Sequence, residues 1–526
     1  MRTISQLPRT RASLGVLAVF VALMAIPAAT QRGAGNEPVR VEGGLISGTT
    51  EDGGRAYKGI PYAAPPVGDL RWKPPQPVVA WTGVRSGDTV GAACPHLARA
   101  AAGFLAEVTE PKREDCLFLN VWTAARPGDR RPVMVWYHGG GWRSGSGTLY
   151  TPNGAPLAKK GVVLVTVNYR LGPLGFLAHP ELTAESPHHS SGNYGFLDQI
   201  AALQWVRQNI AAFGGDPGRV TIFGESAGSW TVSVLMASPL AKGLFHRAIG
   251  ESGGRFAPQP HLTEDRDGVQ SAERNGIAFA KAAGAGSIKE LRAIPADTLL
   301  KVPGYRTEET IDGWVLPREV RATFADGQHN AVALIVGSNA DESVGAPPPV
   351  TVEAYRKRVE TEYGARVNDY YAVYPVDKES DLRNAQRVGG HRTFNLPMRT
   401  WARLATAAGR SKTFMYYFSH VPPHPAKDQL GAYHTGEIPY VFNDLGQHTW
   451  AFQPHDYRLA DLMSSYWVQF ATSGDPNGGR RPQWVPFDLR NEPYLEFGET
   501  VAVRHHLLKP QLDFIEQVQQ RRSTFD

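Results

Sequence analysis

Cysteine is almost absent from this chain: Cys94 and Cys116 are the only two in 526 residues. That excludes a small scaffold held by many disulfides. The His and Cys spacings match no zinc pattern, so no metal site is expected. Charge of one sign is also scarce, with 55 Lys and Arg against 50 Asp and Glu. Three of the positives, Arg2, Arg9 and Arg11, sit at the very start, and without them the excess falls to two. So small an excess leaves no electrostatic footprint for a nucleic-acid partner. There is no N-glycosylation sequon, no internal repeat and no charge run long enough to be a tail. The stretch 14–26 is an uninterrupted apolar run of 13 residues, and no later segment is long and apolar enough to span a membrane. A helix of that length does not cross about 30 Å of hydrocarbon, so no stable membrane insertion is expected.

What remains is an ordinary globular composition, 42% hydrophobic, 20% charged and 10% aromatic, which excludes disorder, collagen and coiled coil. The N-terminus has the three parts of an export signal: the three arginines, the apolar run, then Pro27, Ala28, Ala29 and Thr30. No Arg-Arg pair precedes the run and no Cys follows it, which argues against twin-arginine export and lipidation. The sequence thus predicts a signal peptide over 1–30 and one mature domain over 31–526, periplasmic or secreted, with 31–39 as a flexible leader. In an oxidising compartment the single possible pairing predicts a Cys94–Cys116 disulfide.

Strands are expected at 132–137 (PVMVWY), 162–168 (VVLVTVN), 219–223 (RVTIF), 332–337 (VALIVG) and 413–418 (TFMYYF). The first three are continuous apolar runs, as in strands covered on both faces. Helices are expected at 198–213, stopped by Gly214-Gly215, at 229–237, and at 461–471, ended near Gly474. This alternation predicts an α/β fold with a mostly parallel, doubly wound sheet. The segments 255–310 and 345–391 break the rhythm and read as excursions over one end of the sheet.

Two motifs carry chemistry. Gly224-Glu225-Ser226-Ala227-Gly228 is G-x-S-x-G between a strand and a helix, the context in which that motif presents a nucleophilic serine. His138-Gly139-Gly140-Gly141-Trp142 follows the strand at 132–137. Its glycines let backbone N–H groups converge on one point, as a tetrahedral oxyanion requires. A phosphate cradle would need a following Lys-Ser/Thr or a G-x-G-x-x-G helix, and neither is present.

With these residues the chain resembles the type-B carboxylesterase family of the α/β-hydrolase fold. The resemblance runs from about Val39 to Phe497. It includes Gly59-Ile60-Pro61-Tyr62-Ala63, Arg71-Trp72, Glu114-Asp115-Cys116-Leu117, Asn168-Tyr169-Arg170, Gly192-Asn193-Tyr194-Gly195 and Phe213-Gly214-Gly215-Asp216-Pro217. It implies a serine esterase with Ser226 as nucleophile and no cofactor, acting on a small-molecule ester through an acyl-enzyme. In chain order the acid lies between the serine and the histidine. From the residues alone Asp341 and Glu342 both qualify. The family pattern points to Glu342, although Ser343 stands where the family has Gly.

His434, in Gly431-Ala432-Tyr433-His434-Thr435-Gly436-Glu437, resembles the family's histidine loop, whereas His420 and His424 lack those flanks. The resemblance implies oxyanion donors at Gly140, Gly141 and Ala227, and a supporting role for Ser252. In cholinesterase relatives a tryptophan inside the disulfide loop binds a quaternary ammonium. Here the loop 95–115 holds no Trp or Tyr, and Phe104 is its only aromatic ring and reads as a packing residue, so no choline preference is expected. Two other readings are a non-catalytic adhesion protein on this fold, which the presence of all three catalytic residue types disfavours, and a lipase acting on aggregated esters.

Overall fold

In the strand Arg131–Tyr137, six consecutive residues from Pro132 are buried, and the last five divide between two cores. Val133, Val135 and Tyr137 face one core, Met134 and Trp136 the other. Side chains alternate along a strand, so a run that is apolar at every position needs a covered sheet on both sides. The computed structural model describes residues 37–98, 107–149, 153–266, 268–342 and 350–525, with side chains to 520. The expected signal peptide and Phe104 lie outside the described residues.

Among the described residues the main sheet has eleven strands. In chain order they are β1 (Thr49–Glu51), β2 (Gly54–Pro61), β3 (Phe118–Thr123), β4 (Arg131–Tyr137), β5 (Val163–Val167), β6 (Gly215–Glu225), β7 (Arg247–Glu251), β8 (Ala333–Asn339), β9 (Thr413–Phe418), β10 (Pro493–Phe497) and β11 (Val501–His505). Their spatial order is β11-β10-β9-β8-β7-β6-β4-β5-β3-β2-β1. From β5 to β10 every pairing is parallel, with Val135 opposite Val165 on one side and Ile222 on the other. The flanking strands are antiparallel. Helices Tyr194–Asn209, Ala227–Ala237 and Leu396–Ala407 bury Leu203, Val232 and Trp401 in one core. Helix Pro454–Ser473 buries Met463, Trp467 and Phe470 in the other.

The helix expected at 198–213 starts earlier and ends as a tight 3₁₀ turn over Ile210–Phe213. That expected at 461–471 begins at Pro454, where Gln453 and Asp456 form a reciprocal cap. The leader ends sooner than expected, because Val39 pairs with Ile46 in a separate three-stranded sheet. The described parts of the two excursions contain short helices, among them Ala272–Ala282 and Val352–Tyr363. The second packs on the C-terminal helix through Tyr355, Tyr370, Leu512 and Phe514. Among the described residues no helix is long and apolar enough to cross a membrane.

Cys94 and Cys116 are buried and joined by a disulfide, their Cα atoms 4.9 Å apart. The returning end of their loop is pinned by Glu114, which takes a two-pronged ion pair from Arg71 at 2.5 and 2.7 Å. The remaining Arg71 donor reaches the carbonyls of Arg292 and Ile294. Closing a loop of this length restricts the unfolded chain by roughly 3 kcal/mol. Replacing both cysteines by alanine is expected to lower the urea unfolding free energy by about that amount. An unchanged midpoint and slope would contradict it.

Candidate active site

The expected site residues all follow the C-terminal ends of parallel strands. Ser226 follows β6, the glycine loop follows β4, Glu342 follows β8 and His434 follows β9. Doubly wound sheets place their sites at that edge.

Ser226 has φ 55° and ψ −119°, a conformation that a non-glycine residue adopts only when its surroundings impose it. The neighbouring glycine shows why the turn can be so tight. A Cβ on Gly228 would lie 1.9 Å from the Tyr137 carbonyl oxygen, so β4 and the first turn of the helix touch backbone to backbone. The Ser226 N–H donates to the Glu251 carbonyl of β7 (2.9 Å), and its own carbonyl accepts from Trp230 N (2.9 Å).

The glycine loop packs directly on this turn: a Cβ on Gly139 would sit 3.2 Å from Ser226 Cβ. Gly140 has φ 110°, and a Cβ there would lie 2.0 Å from the Ser144 carbonyl oxygen. Gly141, with φ 65°, completes a turn held by the N–H groups of Arg143 and Ser144 on the Gly140 carbonyl. Beneath it, His138 is stacked on Tyr169 at 4.4 Å and linked through Nδ1 to the Gly139 carbonyl. Burial lowers its pKa to about 4, so it is a neutral prop for the loop at physiological pH.

His434 Nδ1 lies 2.7 Å from Glu342 Oε2, and the other carboxylate oxygen accepts the Asn339 N–H at 2.7 Å. His434 Nε2 lies 3.1 Å from Glu225 Oε1, on the residue before Ser226. Ser226 Oγ is hydrogen-bonded to none of the described side chains, a looseness common where substrate completes the geometry. Asp341 points elsewhere. It pairs with Arg387 at 2.6 Å and accepts the Ala432 N–H at 3.0 Å, bracing the histidine loop against the acid loop. His420 bonds Asp456 at 2.7 Å, and His424 packs on Trp450 and Tyr433, so neither rival histidine belongs to the cluster.

Comparison with known proteins fits this arrangement. The model of the carboxylesterase family matches residues 36–515. The chain belongs to the carboxylesterase family. As a carboxylesterase it is 37% identical to fumonisin B1 esterase of Sphingopyxis macrogoltabida, over 94% of this chain and 93% of that one. It is 34% identical to para-nitrobenzyl esterase of Bacillus subtilis, over 84% and 90%, and 33% identical to human cocaine esterase, over 97% and 96%. A solved structure titled PNB esterase superposes with a TM-score of 0.77 at 30% identity, covering 91% of this chain and 99% of that chain. The fold is thus that of the α/β-hydrolases, and this carboxylesterase is a carboxylic ester hydrolase.

Sequence reasoning missed part of this candidate site. A π-helical turn over His391–Asn395 sets Phe394 against the His434 ring, centroids 4.3 Å apart. Asn395 of the same turn donates to Ser338 Oγ and to the Asn339 carbonyl. The wider turn is what swings two consecutive side chains onto the acid and histidine loops.

Four buried glutamates, Glu225, Glu251, Glu342 and Glu437, surround Tyr416. Glu437 accepts from Asn339 Nδ2 at 2.5 Å and Ser252 Oγ at 3.4 Å, so Ser252 reaches Glu437 rather than the acid expected. Burial, reinforced by the charge of Glu342, pushes the Glu437 carboxyl up to about 8. Burial and Glu437 push Glu251 well up too. Glu437 is therefore protonated in the fold at neutral pH and ionised in the unfolded chain. Such a group stabilises the fold fully below the ordinary carboxyl range, and the contribution is lost as pH rises towards 8. Glu437→Gln, an isostere of the neutral acid, is expected to flatten the fall in Tm between pH 5 and 8 relative to wild type. Parallel Tm profiles would mean that Glu437 is ionised in the fold.

Proposed function

We propose that Ser226, His434 and Glu342 form the catalytic triad of this ester hydrolase. The observation that carries the reading is the 2.7 Å contact of His434 with Glu342 at the same sheet edge as the strained serine turn. Ser226 Oγ attacks the ester carbonyl while His434 Nε2 takes its proton. Glu342, bonded to Nδ1–H, holds the tautomer and stabilises the imidazolium. The carbonyl oxygen, now negative, is met by the N–H groups of Gly140, Gly141 and Ala227, the last at a helix N-terminus. His434 hands its proton to the alcohol, which leaves. Water then repeats the sequence and releases the acid.

The full set of nucleophile, base, acid and glycine loop favours this over the adhesion reading. We further propose one mature domain and export to the periplasm or medium. The tripartite N-terminus and the disulfide support this. The substrate is a small ester of an alcohol without positive charge. An aryl phosphonate tests the triad, because it reacts far faster with an activated serine than with an ordinary hydroxyl. Intact-mass and peptide mapping should find one adduct, on Ser226. Labelling at another residue, or none, would remove Ser226 as nucleophile.

A further inference from the structure

A cavity of about 600 Å³ opens beside the glycine loop, walled by Gly140, Gly141 and Trp230. Trp230 stands one helical turn beyond Ser226. Neither Ser226 nor His434 is among the lining residues, so the cavity meets the site through Gly140, Gly141 and Trp230. On the triad reading the alcohol leaves towards His434, which protonates it. The acyl part, whose carbonyl oxygen rests on the glycine N–H groups, occupies the opposite side. This cavity is therefore the acyl pocket.

Its walls are not those of a plain hydrophobic slot, because Arg143 and Arg255 both line it. The Arg255 guanidinium is fixed before any ligand arrives. It lies over the Trp142 and Trp230 rings at 5.7 and 5.3 Å, and its Nε donates to the fully buried Glu309 at 2.6 Å. That bond uses one of its five donors. Its side chain is 20% exposed, and it borders the cavity. Arg143 stands exposed on the rim, and no carboxylate among the described residues is within ion-pair distance of it. Glu308 also lines the cavity; it pairs with Arg306 at 3.0 Å and acts electrostatically on Arg255 as well. The charged residues that line the cavity are thus two guanidiniums, Arg143 and Arg255, and one carboxylate, Glu308.

We propose that this acyl pocket selects esters whose acid part carries a second, free carboxylate, held between Arg255 and Arg143. A planar, pre-positioned guanidinium with free N–H groups suits a carboxylate, and a pocket built for such a partner discriminates against a neutral isostere. The reaction is ordinary hydrolysis: water replaces the alcohol on the acyl carbon, and a dicarboxylate and an alcohol are released. The inference rests on the acyl-enzyme reading above.

The test compares two esters of one alcohol: monobenzyl glutarate, and the benzyl ester in which the free acid is a neutral primary amide. At neutral pH and low salt, kcat/KM should be about tenfold or more higher for the acid. The preference should shrink at high salt, because the rim charge is screened. Arg143→Gln should lower the acid-to-amide ratio. The Arg255→Gln/Glu309→Gln pair, which leaves no orphaned buried carboxylate, should bring it close to one. If that pair does not fold, the ratio for Arg143→Gln decides. Wild type hydrolysing the amide ester as fast as the acid, or a preference that survives these variants, would overturn the pocket assignment alone. Wild type hydrolysing neither ester would overturn the acyl-enzyme reading and this inference with it.

Discussion

Ser226→Ala is expected to reduce kcat by about 10⁴–10⁶ while leaving the fold as it is. The loss is large because nothing else at the site can form the acyl-enzyme. What remains is positioning and oxyanion stabilisation by the glycine loop, worth about 10³-fold over water. The fold should survive because Ser226 Oγ bonds none of the described side chains, and alanine tolerates the φ of 55° as well or as badly as serine. The variant should unfold within about 2 °C of wild type, since no named source of destabilisation applies. Steady-state kinetics on an activated aryl ester, beside a thermal melt, decide the matter. Near-native turnover in the variant would place the nucleophile elsewhere.

Glu342→Gln is the second large effect, a loss of about 10⁴ in kcat. The amide can fill the same space but no longer compensates the imidazolium that forms when Ser226 is deprotonated. It can also turn its NH₂ towards Nδ1 and impose the wrong tautomer on His434. Asp341→Asn is the control, one residue away. It removes the ion pair with Arg387 and weakens the brace to Ala432, so it should lower Tm by several degrees and kcat/KM by less than about tenfold. The reverse order of effects would make Asp341 the acid. Glu342→Gln carries a second signature. It removes the charge that helps to raise Glu437, so Glu437 should titrate at lower pH in that variant.

The parts of the molecule legible in the sequence are those whose chemistry is local. β4 is apolar at almost every position because both its faces are covered, and G-x-S-x-G marks its own turn because only glycine fits against Tyr137. β7 (RAIGE) is short, contains glycine and ends in a glutamate, and a glutamate in isolation reads as surface. Its burial follows from strands distant in sequence, β6 and β8, pairing on either side. The same holds for Glu437 and Asn339, whose environment is assembled from three separate loops. The choice between Asp341 and Glu342 was open to local reading for a related reason. Adjacent carboxylates differ only in which way the backbone aims them, and here one faces Arg387 and the other His434. Phe394 offered no signal, since a single phenylalanine in a polar segment reads as ordinary packing.

The left-handed turn at Ser226 has a consequence for how this protein would change under selection. A non-glycine residue held at such angles costs about 1–3 kcal/mol, which glycine at the same position would largely recover. Heat tolerance and turnover therefore pull residue 226 in opposite directions. A library screened only for survival at raised temperature should accumulate Gly at 226, giving more durable but inert molecules. A screen that also demands ester cleavage should purge them. The proposed nucleophile is a place where the chain stays below its own stability optimum in favour of the reaction proposed for it.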